Sequence, residues 1–298
     1  MAQSLINKSM DRDDLLSEQG QRFVTELAEA MRAMRARRLP VTSWYGGLAT
    51  RGAGFSTAAI RQLARRLLRG TRWVGGVERL NRGGDAYRPV PGISNDDRHP
   101  WFLYWEAFWV MTHGPRIGSG HRLLDAGGTA SLFSSFLASR GAEVHSVDQN
   151  ESLVAAGNAI AEGMDWNMTS HCMDMTKLDF EDGSFDHAYS ICVFEHLDWQ
   201  ARQAALREIA RVLKPGGHLS MTFDYGGPGV YLSGKGTDYD PRNLIRTPED
   251  VGRHFLSSSD FEPLGNPRFF DNGKSYLVWP DDPSCRYTFG AVFLRKPG

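Results

Sequence analysis

Residues 122–148 read RLLDAGGTASLFSSFLASRGAEVHSVD. Arg122–Ala126 is a short apolar strand that runs into the small residues Gly127, Gly128 and Thr129. Ser131–Arg140 carries apolar residues at helical spacing, and Glu143–Asp148 returns to a strand pattern. Strand, tight turn, helix and second strand form the unit from which parallel α/β sheets are built.

The same rhythm continues downstream. A helix is expected at Glu151–Glu162, a third strand at Asn167–Asp174 and a fourth at Phe185–Cys192. The helix Gln200–Leu213 follows, then a turn at Lys214-Pro215-Gly216-Gly217 and a fifth strand at His218–Phe223. Pro248–Ser257 reads as helix. Phe261–Phe270 and Tyr287–Arg295 read as two last strands with no helix between them, hence an antiparallel edge. The expectation is a doubly wound, seven-stranded, mostly parallel sheet with an antiparallel C-terminal edge.

Upstream the chain changes character. Residues 11–38 read as helix, ended by Pro40, and Thr57–Leu68 reads as a second helix with arginines opposite its apolar stripe. Trp101–Met111 (WFLYWEAFWVM) reads as a buried helix. Trp101, Tyr104, Trp105 and Trp109 belong mostly to the core, with two or three expected to face a ligand. The division implied is a helical N-terminal extension over 1–118, partly substrate-binding, and an α/β domain over 119–298. Residues 225–246, rich in Gly and Tyr, read as a lid inserted in that domain.

With 298 residues, 41% of them hydrophobic and 23% charged, the chain is long enough for a sizeable core. Cys172, Cys192 and Cys285 are widely spaced, which argues against a disulfide framework or a zinc cluster. The polar N-terminus and the lack of a long apolar run point to a cytoplasmic protein. The net charge of −1 hides an asymmetry. Residues 31–90 hold thirteen Arg and only Glu78 and Asp85, giving +11 and leaving −12 elsewhere. That arm fits docking onto the acidic remainder or peripheral contact with an anionic surface or substrate. Nucleic acid is disfavoured, because no Lys accompanies the Arg and no RNA-binding signature is present.

Three segments carry the chemistry. Asp125-Ala126-Gly127-Gly128-Thr129 lets a ligand approach the backbone at a helix N-terminus, although a purely structural turn reads the same way. Asp148, about 20 residues past the glycines at the end of the second strand, is placed to accept both hydroxyls of a ribose. Asp174 and Met175, at the end of the third strand, face the same crevice and suit an adenine amino group and ring.

Asp182-Gly183-Ser184-Phe185-Asp186, then Val193-Phe194-Glu195-His196-Leu197, and later Arg211-Val212-Leu213-Lys214-Pro215-Gly216-Gly217 complete a recognisable set. Together these segments resemble the class I (Rossmann-like) S-adenosylmethionine-dependent methyltransferases, type 11-like group, over about residues 122–223. The family's D-x-G-x-G-x-G loop keeps Asp125 and Gly127 here but has Thr129 and Ser131 at the later positions. The resemblance implies S-adenosyl-L-methionine as cofactor and S-adenosyl-L-homocysteine as product. It implies Asp125, Gly127, Gly128 and Thr129 about the methionine part, Asp148 and Gln149 at the ribose, Asp174 and Met175 at the adenine, and Ser190 and Ile191 lining the amino group.

Methyl transfer then needs alignment of a nucleophile and, for a hydroxyl, a base. His196 is the first candidate and Asp224, at the end of the fifth strand, the second. Asp224 with Glu195 or Asp198 also offers carboxylates to a hard cation, but the sequence assigns no metal. The function expected is methylation, on oxygen, of a small-molecule, glycan or lipid-linked acceptor. A non-catalytic cofactor-binding partner is the alternative. The sequence leaves the oligomeric state open.

Overall fold

The computed structural model describes residues 5–42, 48–49, 90–93, 99–226, 243–279 and 282–298. The expected helix Thr57–Leu68, most of the arginine-rich arm and residues 227–242 of the expected lid lie outside the described residues.

Strand β4 (Arg122–Ala126) and strand β5 (Glu143–Asp148) coincide with the sequence expectation. Between them runs helix α3 (Leu132–Ser139), capped by Ser131, whose hydroxyl accepts from Ser134 N. Helix α4 (Glu151–Met164) leads to β6 (Met168–Cys172). Strand β7 (Phe185–Ile191), helix α5 (Trp199–Val212) and β8 (Leu213–Tyr225) form the next crossover. Strand β11 (Asp282–Arg295) runs antiparallel to β8, Ala291 facing Thr222.

With β1 at Lys8–Ser9, the sheet order is β1-β11-β8-β7-β4-β5-β6, and β4, β5, β6, β7 and β8 are mutually parallel. Seven strands lie in this order and two short ones pair with β11 beside it, so the doubly wound, mostly parallel expectation with an antiparallel edge holds. Chain order reverses at β4, which has β5 on one side and β7 on the other, so a crevice opens beyond the C-terminal strand ends.

The N-terminal part is woven into this sheet. Strand β1 (Lys8–Ser9) pairs with the outer edge of β11, Lys8 opposite Ala291. A 3₁₀ turn Arg12–Leu16 follows, then helix α1 (Glu18–Ala36). The single helix expected over 11–38 is thus broken at Ser17, whose hydroxyl caps α1 by accepting from Gly20 N at 3.0 Å. A two-stranded pair, β2 (Val41–Thr42) and β3 (Leu48–Ala49), lies beyond α1. Helix α2 (Trp101–His113) is apolar all round and packs against α1, β8 and β11. Trp101, Tyr104, Trp105 and Trp109 are all buried, so none of them faces an open crevice. Trp105 Nε1 donates to Asp14 Oδ2 and Trp109 Nε1 to the Ile6 carbonyl.

Four C-terminal expectations are revised. Lys214–Gly217 lies within β8, where Gly216 (φ +78°) makes an irregular start to the strand and donates to the Lys296 carbonyl, while Lys296 N donates to the Gly217 carbonyl. The strand expected over Phe261–Phe270 shortens to β9 (Glu262–Pro263), because β1 takes the rest of that sheet edge. The stretch between the two expected last strands contains β10 (Leu277–Trp279), paired with β11. The helix expected at Pro248–Ser257 is α6 (Pro248–Val251), continued by a wider π-type turn over Gly252–Leu256.

Candidate functional site

The crevice begins at the glycine turn. Gly127 has φ +85°, and a Cβ there would lie 2.5 Å from Val193 Cγ1. At Gly128 a Cβ would collide with the Asp125 carboxylate. Both positions therefore require glycine, for conformation in one case and for space in the other. Asp125 is fully buried. Its Oδ2 accepts from Ser134 Oγ, which also stands 2.8 Å from the Gly128 carbonyl. Burial pushes the Asp125 carboxyl up to about 7. Its Oδ1 and the neighbouring Thr129 Oγ1 are buried without a partner. Unsatisfied polar atoms in a tight turn at a helix start suit a small charged ligand group.

Asp148 ends β5 half-buried, with Oδ1 accepting from Asn150 N at 2.8 Å. Gln149 and Asp174 are exposed, and Asp174 Oδ1 accepts from both the amide and the hydroxyl of Thr176. Met175 is buried in the cluster holding Ala126 and Val147, so its side chain belongs to the floor of the crevice. Ser190 is buried and donates to the Ala126 carbonyl, tying β7 to β4, and Ile191 is partly buried beside it. The ten cofactor-binding positions expected from sequence thus gather around the ends of β4, β5, β6 and β7.

The two expected proton acceptors differ in exposure, His196 being exposed and Asp224 half-buried. His196 sits on the 3₁₀ turn Phe194–His196, exposed, with Nε2 3.9 Å from Glu195 Oε1. Asp224, near the end of β8, joins Glu195, as the sequence suggested, and two residues the sequence did not reveal, Cys192 and Glu106. Its Oδ1 lies 4.0 Å from Cys192 Sγ, and ligand atoms of Cys192, Glu195 and Asp224 all lie within 4.8 Å of one another. Glu106, from α2, completes the group: its Oε1 accepts from Cys192 Sγ (2.6 Å) and Thr222 Oγ1 (2.7 Å). Burial pushes the Glu106 carboxyl up to about 8 and raises the Glu195 and Asp224 carboxyls and the Cys192 thiol.

Arg202 fixes the turn that carries Glu195. Fully buried on α5, it donates to the carbonyls of Phe194, Leu197 and Asn243. Its Nη1 donates to His254 Nδ1 at 2.7 Å. Signals for both missed residues exist in the sequence. Glu106 is the one charged residue in Trp101–Met111. Arg202 occupies the stripe otherwise filled by Ala205, Leu206 and Ile209.

Residues 124–221 match the family model for a methyltransferase domain. The ubiquinone/menaquinone biosynthesis C-methyltransferase UbiE of Pseudomonas paraeruginosa (strain DSM 24068 / PA7) is 34% identical over 142 residues, 45% of this chain and 52% of that protein. The biotin biosynthesis bifunctional protein BioHC of Cellvibrio japonicus (strain Ueda107) is 34% identical over 140 residues, 46% of this chain and 26% of that one. The matched region thus spans about half or less of these relatives. The geranyl diphosphate C-methyltransferase of Streptomyces coelicolor A3(2) superposes with a TM-score of 0.50 at 14% identity, covering 70% of this chain and 82% of its own, which speaks for the fold. The strand order, the glycine turn with its following acids and the match over 124–221 agree: those residues match the methyltransferase-domain family and sit in a Rossmann-like sheet.

Proposed function

We propose that the chain binds S-adenosyl-L-methionine and transfers its methyl group to a hydroxyl of a small-molecule, glycan or lipid-linked acceptor. The observation that carries the reading is the combination of Gly127, Gly128, the unpartnered Asp125 Oδ1 and Thr129 Oγ1, and Asp148 around one switch-point crevice. The turn residues fit the cofactor's amino-acid end, and the Asp148 carboxylate fits its ribose. The bound sulfonium supplies an activated methyl group, so the protein's task is alignment.

Within that task the chain's own residues divide. Gly127 and Gly128 keep the approach open, and Asp148 holds the cofactor in register. Val193 packs against Gly127 and closes the turn from the β7 side. His196, exposed on the rim beside Glu195, takes the acceptor's proton. Asp224 lies deeper and shapes the acceptor end. The +11 arm over 31–90 suits an acceptor that carries phosphate or sits on an anionic surface. Among the described residues no helix is long and apolar enough to cross a membrane.

Calorimetry with S-adenosylmethionine tests binding, and detection of S-adenosylhomocysteine over a panel of hydroxylated acceptors tests turnover. Absence of binding at millimolar cofactor removes the proposal. Binding without turnover across the panel favours a non-catalytic partner. His196→Ala is expected to lower turnover by roughly a hundredfold with cofactor affinity unchanged; unchanged turnover removes His196 from the reaction.

A further inference from the structure

The group at the ends of β7 and β8, with Glu106 buried and Cys192, Glu195 and Asp224 half-buried, enters the reaction above only through Asp224. Three carboxyls and a thiol converge there from three separate parts of the chain: Glu106 from α2, Cys192 and Glu195 from the turn after β7, and Asp224 from β8. Cys192 Sγ stands 2.6 Å from Glu106 Oε1 and 4.0 Å from Asp224 Oδ1. One donor atom each from Cys192, Glu195 and Asp224 falls within a span of 4.8 Å, the separation expected of neighbouring ligands around one ion.

A second observation is independent of the clustering. Glu106 is fully buried and the Glu195 side chain is 8% exposed, yet Oε2 of each lacks any hydrogen-bond partner. Removing a carboxylate oxygen from water without a partner is costly. Only one oxygen of Glu106 is engaged, by Thr222 and Cys192, so its second oxygen is left as an open acceptor on a carboxylate headed into the group. Arg202, the buried cation behind the turn, donates to backbone carbonyls and His254.

We infer that Glu106, Cys192, Glu195 and Asp224 form a binding site for a divalent transition-metal cation. The donor set selects the class of ion. Carboxylates alone would suit magnesium or calcium, whereas a thiolate shifts preference toward zinc, iron(II) or cobalt(II). Binding releases the thiol proton to solvent and places positive charge between the three carboxylates. The cation's use rests on the function proposed above: with an open coordination position it draws the acceptor's oxygen to the end of β8 and makes its hydroxyl proton easier to remove. The N-terminal part is then a ligand donor, since Glu106 lies 86 positions before Cys192.

The experiment uses the full chain with zinc or cobalt(II) as probe. After incubation and desalting, elemental analysis is expected to find one equivalent per chain, and the cobalt form is expected to show a thiolate-to-metal charge-transfer band. Cys192→Ser should abolish that band. Asp224→Asn should weaken zinc binding by about tenfold or more, and Glu106→Gln should do likewise if it folds, which circular dichroism checks. Cofactor affinity is measured in parallel and is expected to stay unchanged in Cys192→Ser. A wild-type chain that binds S-adenosylmethionine but retains neither metal overturns the site, and so does a charge-transfer band that survives in Cys192→Ser. Metal uptake by a chain that fails to bind S-adenosylmethionine supports the site and instead removes the methyl-transfer reading.

Discussion

Glu106 Oε1 lies 2.6 Å from Cys192 Sγ, with 86 positions of chain between the two residues. That contact joins helix α2 of the N-terminal part to the turn after β7. Glu106→Gln keeps the shape of the side chain and an oxygen for Thr222. Its folding stability is therefore expected to change by about 1 kcal/mol or less, while methyl transfer falls by at least roughly tenfold. Denaturant melts and turnover of the same preparation check the split. Equal loss of both would show that Glu106 serves only the fold.

The two glycines of the turn are expected to differ from glycines elsewhere. Gly128→Ala drives a Cβ into the Asp125 carboxylate, and cofactor affinity should fall by roughly tenfold or more. Gly141→Ala, at positive φ (+84°) like Gly127, meets nothing closer than Ser119 Cβ at 3.7 Å. It should cost about 1–2 kcal/mol of stability and leave cofactor affinity alone. Calorimetry and thermal melts on the pair would decide the matter.

Asn7 and Asn266 lock the N-terminus to the sheet. Asn266 Oδ1 accepts from the amides of Ile6 and Asn7, both at 2.9 Å. Asn7 Nδ2 donates to the carbonyls of Leu264 and Asn266, while Asn7 Oδ1 accepts from Phe293 N. Asn7→Ala strands these buried groups and should cost about 2–4 kcal/mol. Hydrogen exchange should show lost protection along β1 and the facing residues Gly290 and Ala291. Retained protection would place the anchor elsewhere.

His254 provides a pH signature. Its Nδ1 accepts from Arg202 and its Nε2 donates to the Leu244 carbonyl, so the ring is held neutral. Burial, then the Arg202 charge, pushes its pKa down from 6.5 to about 4. The unfolded chain takes up the proton first. The stabilisation is thus complete above about pH 6.5 and is lost as pH falls toward 4, by at most about 3 kcal/mol. The stability gap between the wild type and His254→Gln should narrow over that range. A gap independent of pH would contradict it.

Much of the site was legible along the chain. Asp125, Gly127, Asp148 and Asp174 stand at strand ends, and the strands announce themselves by local pattern. The Asp182–Leu197 and Arg211–Gly217 segments added a resemblance that pattern alone does not supply. Glu106 was not legible, since its meaning depends on where α2 docks. Cys192 looked inert for the same reason: its φ of +51° and its burial beside three carboxyls are properties of the folded turn. Arg202 on an apolar stripe contradicts helix patterning unless the carbonyls of Phe194, Leu197 and Asn243 are already in place.

The sequence by itself determined the parallel core from β4 to β8, the glycine turn and the acids of the crevice. Those depend on residue spacing and on turn chemistry within a few positions. Only the tertiary structure decided that β1 would share the edge of β11, that α2 would lie against β8, and that Glu106 would meet Cys192, Glu195 and Asp224. Periodicity shows which face of a helix is buried, but the partner on that face is chosen by packing across the whole chain. In α2, apolar all round, even the face was undetermined until the sheet and α1 closed over it.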